Sequence, residues 1–136
     1  MAKFAATDYS VTINGGTVSS FLQSVELSLE SDDLETTAFG QTSRTRIGGL
    51  KTGSLVLNFF QDFGASAVDA TLFPLFNTIG TVTIRPTKSS ASATNPSYSF
   101  ETLCNAYSPF ASSVGDIATL SVTWPVTGDV TRGTGA

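Results

Sequence analysis

The chain reads as mainly β: an antiparallel β-sandwich or barrel of about six to seven strands, with one short helix and a long protruding loop. Three observations predict this. Apolar and polar residues alternate with a period of two in segment after segment, as half-buried strands require. One stretch alone switches to helical spacing. Two strongly alternating segments are separated by the run from Leu34 to Gly53, and a connection longer than about 12–15 residues usually has a job.

Tyr9-Ser10-Val11-Thr12-Ile13 alternates and stops at Asn14-Gly15-Gly16, where residues that accept positive φ permit a tight hairpin turn. The return strand includes Leu22 to Glu30, with Val25, Leu27 and Leu29 on one face and Ser24, Glu26, Ser28 and Glu30 on the other. After the long loop, Ser54 to Phe60 forms a third strand. Leu55, Leu57 and Phe59 are its inward set, and Val56 and Phe60 point the other way.

From Ala65 to Ile79 the rhythm changes: Val68, Leu72, Leu75, Phe76 and Ile79 recur at spacings of three and four and form one helical stripe. Ser66 suits the N-cap, and Asp69 places a carboxylate in the first turn, where the helix dipole favours it. Pro74 should kink or split the helix, because it lacks an N–H and its ring crowds the preceding turn. Thr81 to Arg85, Ser97 to Tyr107 and Ala118 to Val126 complete the strands, and Pro86 to Pro96 is a Ser/Thr/Ala-rich surface loop. In the last strand Ala118, Leu120, Val122 and Trp124 oppose Thr119, Ser121 and Thr123, with Trp124 a core anchor. The whole, residues 1–136, forms one domain, and its Gly- and Thr-rich tail from Thr127 to Ala136 is expected to be flexible until a neighbour orders it.

Composition narrows the function. With 40% hydrophobic and only 13% charged residues, against a typical charged share of about 25%, much of the surface is Ser and Thr. Small hydroxyls pack closely against other protein when their hydrogen bonds are met, which suits a subunit. A net charge of −4 with seven Lys and Arg in total argues against gripping DNA or RNA, which needs clustered cations. No run approaches a membrane span, and the N-terminus meets an acid before any sustained apolar stretch, so neither a span nor a secretion signal is expected.

Catalytic and cofactor chemistry find little to work with. The chain has no histidine and one cysteine, which removes the commonest general base, the usual nucleophile pairs and a zinc site. Cys104 reads as a small buried hydrophobe. Neither Gly15-Gly16 nor Gly48-Gly49 belongs to a phosphate-cradling motif, and Asp32, Asp33 and Glu35 lack the spaced ligands of a calcium loop and read as a solvated acidic turn. No cofactor, no metal and no enzymatic activity are expected.

The features that remain are surfaces. The loop carries an uncharged tip around Phe39, followed by a basic arm of Arg44, Arg46 and Lys51, while Glu26, Glu30, Asp32, Asp33 and Glu35 precede it. Phe39 either folds back onto its own domain or inserts into a neighbour. Glu35, Arg44, Arg46 and Lys51 are candidates for pairing between copies, since opposite charges at two ends of one element suit head-to-tail contacts. Leu72, Leu75 and Phe76 read as core under the helix, with Phe73 the residue free to face a partner.

Three stretches carry a resemblance: Leu34-Glu35-Thr36-Thr37-Ala38-Phe39-Gly40, Arg44-Thr45-Arg46-Ile47-Gly48-Gly49-Leu50-Lys51-Thr52-Gly53-Ser54, and Asp69-Ala70-Thr71-Leu72-Phe73-Pro74-Leu75. With the order of the elements, they resemble the tail tube, or major tail, proteins of long-tailed bacteriophages, and are similar to the small tail subunits of phages infecting actinobacteria. The resemblance implies a structural virion protein, made in the host cytoplasm and located in the phage tail, where self-assembled hexameric rings stack into a tube that conducts DNA. Its partners are then itself and other tail proteins, DNA passes without specific binding, and Glu26, Glu30 and Glu101 would face the lumen and repel phosphate. The alternatives are a capsid-decorating or head-to-tail connector protein and, from another class, a β-sandwich carbohydrate-binding module.

Overall fold

The structure is a computed structural model and describes residues 9–14, 16–65 and 67–134. Among these lie seven strands: β1 (Ser10–Ile13), β2 (Gly16–Thr17), β3 (Leu22–Glu35), β4 (Arg46–Phe60), β5 (Ile79–Arg85), β6 (Ser97–Leu103) and β7 (Thr119–Gly133). One short helix, α1 (Val68–Leu72), runs into a 3-10 turn at Phe73–Leu75 and precedes β5. The strands form one antiparallel sheet in the order β2-β1-β5-β6-β7-β4-β3, the mainly β architecture with one helix that the alternation predicts.

The sheet curls on itself, so its two ends share a core. Leu55, Leu57 and Phe59 of β4 meet Leu120, Val122 and Trp124 of β7, and Val11, Ile13, Val82 and Phe100 join them from the other half. The inward sets of β4 and β7 are those the period of two selects, and Val68 and Leu72 of α1 close one end. Trp124 is buried and donates from Nε1 to the Ala106 carbonyl at 2.9 Å, so its polar edge is satisfied inside the core.

β7 is the seam of the sheet. Thr119 to Pro125 pairs with β4, whereas Val126 to Gly133 pairs with β6. The changeover falls at Pro125, which has no N–H to extend the ladder with β4, and is followed by Gly128 at φ +85° and a register shift opposite Ser99–Glu101. Of the expected tail, Thr127 to Gly133 belongs to β7, paired against Ser97 to Glu101. Residues 135 and 136 lie outside the described residues.

Other expectations are also corrected. The partner of β1 in the hairpin is the two-residue β2, while the strand beginning at Leu22 pairs with β4 instead. A 3-10 turn at Ser19–Phe21 redirects the chain between them, and Ser19 Oγ receives the Val11 N–H at 2.7 Å. The helix is five residues long: Pro74 ends the regular turns, Phe76 is half-exposed, and Ile79 opens β5. Ser66, the expected N-cap, lies outside the described residues, and Ala67 at the N-cap position supplies no side-chain bond. Strand β6 ends at Leu103 rather than Tyr107, because the Cys104 N–H turns to the Thr78 carbonyl at 2.8 Å.

Candidate assembly surfaces

Most of the expected long loop is strand. β3 and β4 pair from Leu22 and Phe59 out to Glu35 and Arg46, leaving only residues 36–45 as a true connection. Pairing with β7 stops at Ser54, so the outer half of this hairpin is a two-stranded ribbon paired only with itself, its base at residues 29–31 and 51–53 sharing a groove with residues 126–130 of β7. A register shift between Ser31 and Asp33 bends it, and Gly49 sits at that point because a side chain there would come within 2.9 Å of Asp32 Cβ and 3.3 Å of Leu34 Cδ1.

The tip is ordered by its own hydrogen bonds. The Thr36 N–H donates to the Thr45 carbonyl at 2.7 Å, their hydroxyls meet at 2.8 Å, and the Thr45 N–H reaches Thr37 Oγ1 at 2.9 Å. Gln41 Oε1 accepts the Ala38 N–H at 2.6 Å, and Gly40 takes φ +92°, which its lack of Cβ permits. The result holds Phe39 out at 108% relative exposure, so the side chain is not folded back onto its own domain. Leu50 at 78% exposure, with the partly exposed Leu34 and Ile47 facing each other across the ladder, extends the apolar surface down the arm.

The arm's charges meet within the chain. Arg46 Nη1 lies 2.5 Å from Asp33 Oδ2, and Arg44 Nη1 lies 3.9 Å from Glu35 Oε1, because continued pairing brings the acidic strand alongside the basic one. Exposed pairs of this kind are worth about 0–1 kcal/mol each. Lys51 lies opposite Ser31 farther down the ribbon. Phe73 is exposed but lies on the 3-10 turn after α1, away from the arm.

A second surface follows from register. Cα partners across a ladder share a face, as do residues an even number apart on one strand. Glu26 lies opposite Val56, Val56 opposite Thr123, and Thr127 opposite Glu101, so Glu26, Glu30 and Glu101 belong to one face of the sheet. Hydroxyls and amides fill the space among them: Asn58 Nδ2 donates to Ser24 Oγ at 2.6 Å, Ser28 Oγ to Glu26 Oε2 at 3.3 Å, and the Thr83 and Ser99 hydroxyls meet at 3.4 Å. Arg85, at the end of β5, donates from Nη2 to Ser10 Oγ at 3.3 Å.

Two further features escaped sequence reasoning. Strand β3, fourteen residues long, is an outer strand of the sheet and presents its far edge without a partner among the described residues. At the opposite end of β4 from the tip, the rings of Phe63 and Phe110 stack with centroids 5.5 Å apart yet stay 55% and 85% exposed, and Val114 and Ile117, later in the same connection to β7, are exposed as well. These residues sit in segments without alternation, so no period marks them; the surplus of apolar residues in a coil segment was the available signal.

Among the described residues, no three of His, Cys, Asp and Glu are grouped to hold a metal ion, and no helix is long and apolar enough to cross a membrane. Cys104 is buried, and that burial pushes its thiol up from the ordinary value, away from the reactive thiolate. Tyr107 donates to Asp69 Oδ1 at 2.6 Å and ties the loop after β6 to α1.

No protein-family model and no curated protein sequence matches the chain. Solved structures do. A chain from the virion of a native gene transfer agent particle matches with a TM-score of 0.78 at 10% identity, over 97% of this chain and 100% of that one. A chain from the tail of an empty gene transfer agent particle, determined with helical refinement and C6 symmetry, matches with a TM-score of 0.60 at 11% identity, over 82% and 81%. At such identities the likeness is one of fold, covering 97% of this chain in the first case and 82% in the second.

Proposed function

We propose that this chain is a structural subunit of a phage-like tail, which self-assembles into stacked rings and forms the tube that DNA travels through. The observation that carries this reading is the end-to-end match to a chain of a gene transfer agent virion, with nothing left over in that chain. The C6 symmetry of the particle whose tail supplies the second match favours a hexameric ring. The actinobacterial likeness rests on the sequence stretches alone.

The geometry supports the reading in three ways. The long outer edge of β3, which has no partner among the described residues, is a template for a strand from a neighbouring copy, which would turn separate sheets into a continuous barrel. The acidic, hydroxyl-rich face holding Glu26, Glu30 and Glu101 would line the lumen, where carboxylates repel phosphate and let DNA slide, whereas cations would retain it by counterion release. The arm, with Glu35, Phe39, Arg44, Arg46 and Lys51, would reach the adjacent subunit or ring, and Phe73 would be covered by a neighbour. Other tail proteins would meet the ends of the tube, and the subunit would catalyse nothing.

Negative-stain microscopy of the purified protein at high concentration tests this. Tubes or stacked rings are expected. A strictly monomeric sample under all conditions would overturn the proposal; binding to capsids or to glycans in its place would favour a decoration protein or a carbohydrate-binding module.

A further inference from the structure

We infer that the stacked aromatic pair Phe63–Phe110 is the seat that receives the arm tip of a second copy of this chain. Phe39 stands fully exposed at the tip, and two stacked but exposed rings stand at the other end of the same strand. An arm cannot fold back onto its own aromatic end. β4 is fifteen residues long, and at about 3.3 Å per residue it holds the two surfaces roughly 45 Å apart. The occupant must therefore come from another molecule.

One cation of the arm, Arg44, suits the same pairing. The arm sets Arg44, Arg46 and Lys51 beside Asp32, Asp33 and Glu35, with Arg46 taken up by Asp33, while residues 61–79 and 104–118 contain Asp62, Asp69 and Asp116 and no Lys or Arg. Arg44 is held by Glu35 only at 3.9 Å and its side chain is mostly exposed, so it is free to reach a carboxylate on the receiving copy. A contact between two different patches of one chain is heterologous, and it propagates from copy to copy instead of closing as a dimer. Such propagation is what stacking rings demands; the inference rests on the tube reading and adds the receiving surface.

The test uses the buried Cys104 as a silent background. Phe39→Cys and Phe110→Cys variants are mixed under mild oxidation at assembling concentration. A disulfide-linked dimer in the mixture, absent from either variant alone, with a ladder of multimers from the double variant, is expected. Tubes that form normally while the double variant yields no cross-link would overturn the seat and leave the tube reading standing. Cross-linking within Phe110→Cys alone as strong as in the mixture would also overturn it, since the patch would then meet itself. Absence of both assembly and cross-link would overturn both readings.

Discussion

Arg46 reaches across the arm to Asp33, Nη1 to Oδ2, at 2.5 Å, and so this charge pair spans the two strands of one hairpin. Because both side chains remain about half exposed, the pair steadies the arm's register more than it stabilises the domain.

Replacing Arg44 and Arg46 with Glu should therefore lower stability by no more than about 2 kcal/mol, since each exposed pair contributes little, while impairing assembly through repulsion from Asp33 and Glu35 and loss of the exposed Arg44. Thermal unfolding monitored by circular dichroism, set beside light scattering, checks this. A large drop in melting temperature would mean that the arm belongs to the domain's own core.

Gly49→Val should disorder the ribbon without unfolding the sheet. Its new Cβ would sit 2.9 Å from Asp32 Cβ, and residues 46–53 pair only with β3. Hydrogen exchange should quicken at residues 30–35 and 46–51 and stay slow at Leu57 and Val122. Equal loss of protection in both regions would count against an independent arm.

Stability should fall in alkaline solution. Burial pushes the Cys104 thiol above its ordinary value of 9.0, and burial together with the hydrogen bond to Asp69 pushes the Tyr107 hydroxyl above 10.0. Both shifts mean that the unfolded chain releases its proton first as pH rises, so stability is whole below about pH 9 and declines above it. Urea midpoints at about pH 7 and pH 10 check the sign. The drop should be smaller in Cys104→Ala, and a midpoint that rises with pH would contradict it.

Reversing charge on the acidic face by Glu26→Lys, Glu30→Lys and Glu101→Lys should make assembled protein retain DNA. Its affinity should fall steeply with salt, as counterion release requires, while wild type stays unbound. Filter binding across a salt series reads both. Salt-insensitive or absent retention by assembled variant would place those residues away from the DNA path.

Much of this fold was legible because local rules and the global fold agree. The alternation of Leu55, Leu57 and Phe59 and of Leu120, Val122 and Trp124 selects the core faces that the sheet uses, and Pro74 limits the helix as its chemistry demands. Pairing partners were less legible, since period tells which way a side chain points but not which strand lies alongside. Leu22 to Glu30 thus reads equally well as the partner of β1 or of β4. The basic and glycine-rich run from Arg46 to Gly53 looks like loop because its apolar residues do not alternate; the bend at Asp33 and the close approach at Gly49 account for that. Phe63 and Phe110 carry no periodic signature at all.

Strand β7 serves both halves of the sheet, with Val122 paired to β4 and Thr131 to β6. One continuous backbone therefore couples their melting. Neither half keeps a complete ladder once the other opens, so denaturation of the sheet should be a cooperative event in which calorimetric and van't Hoff enthalpies coincide, with only the ribbon beyond Gly53 able to fray ahead of it.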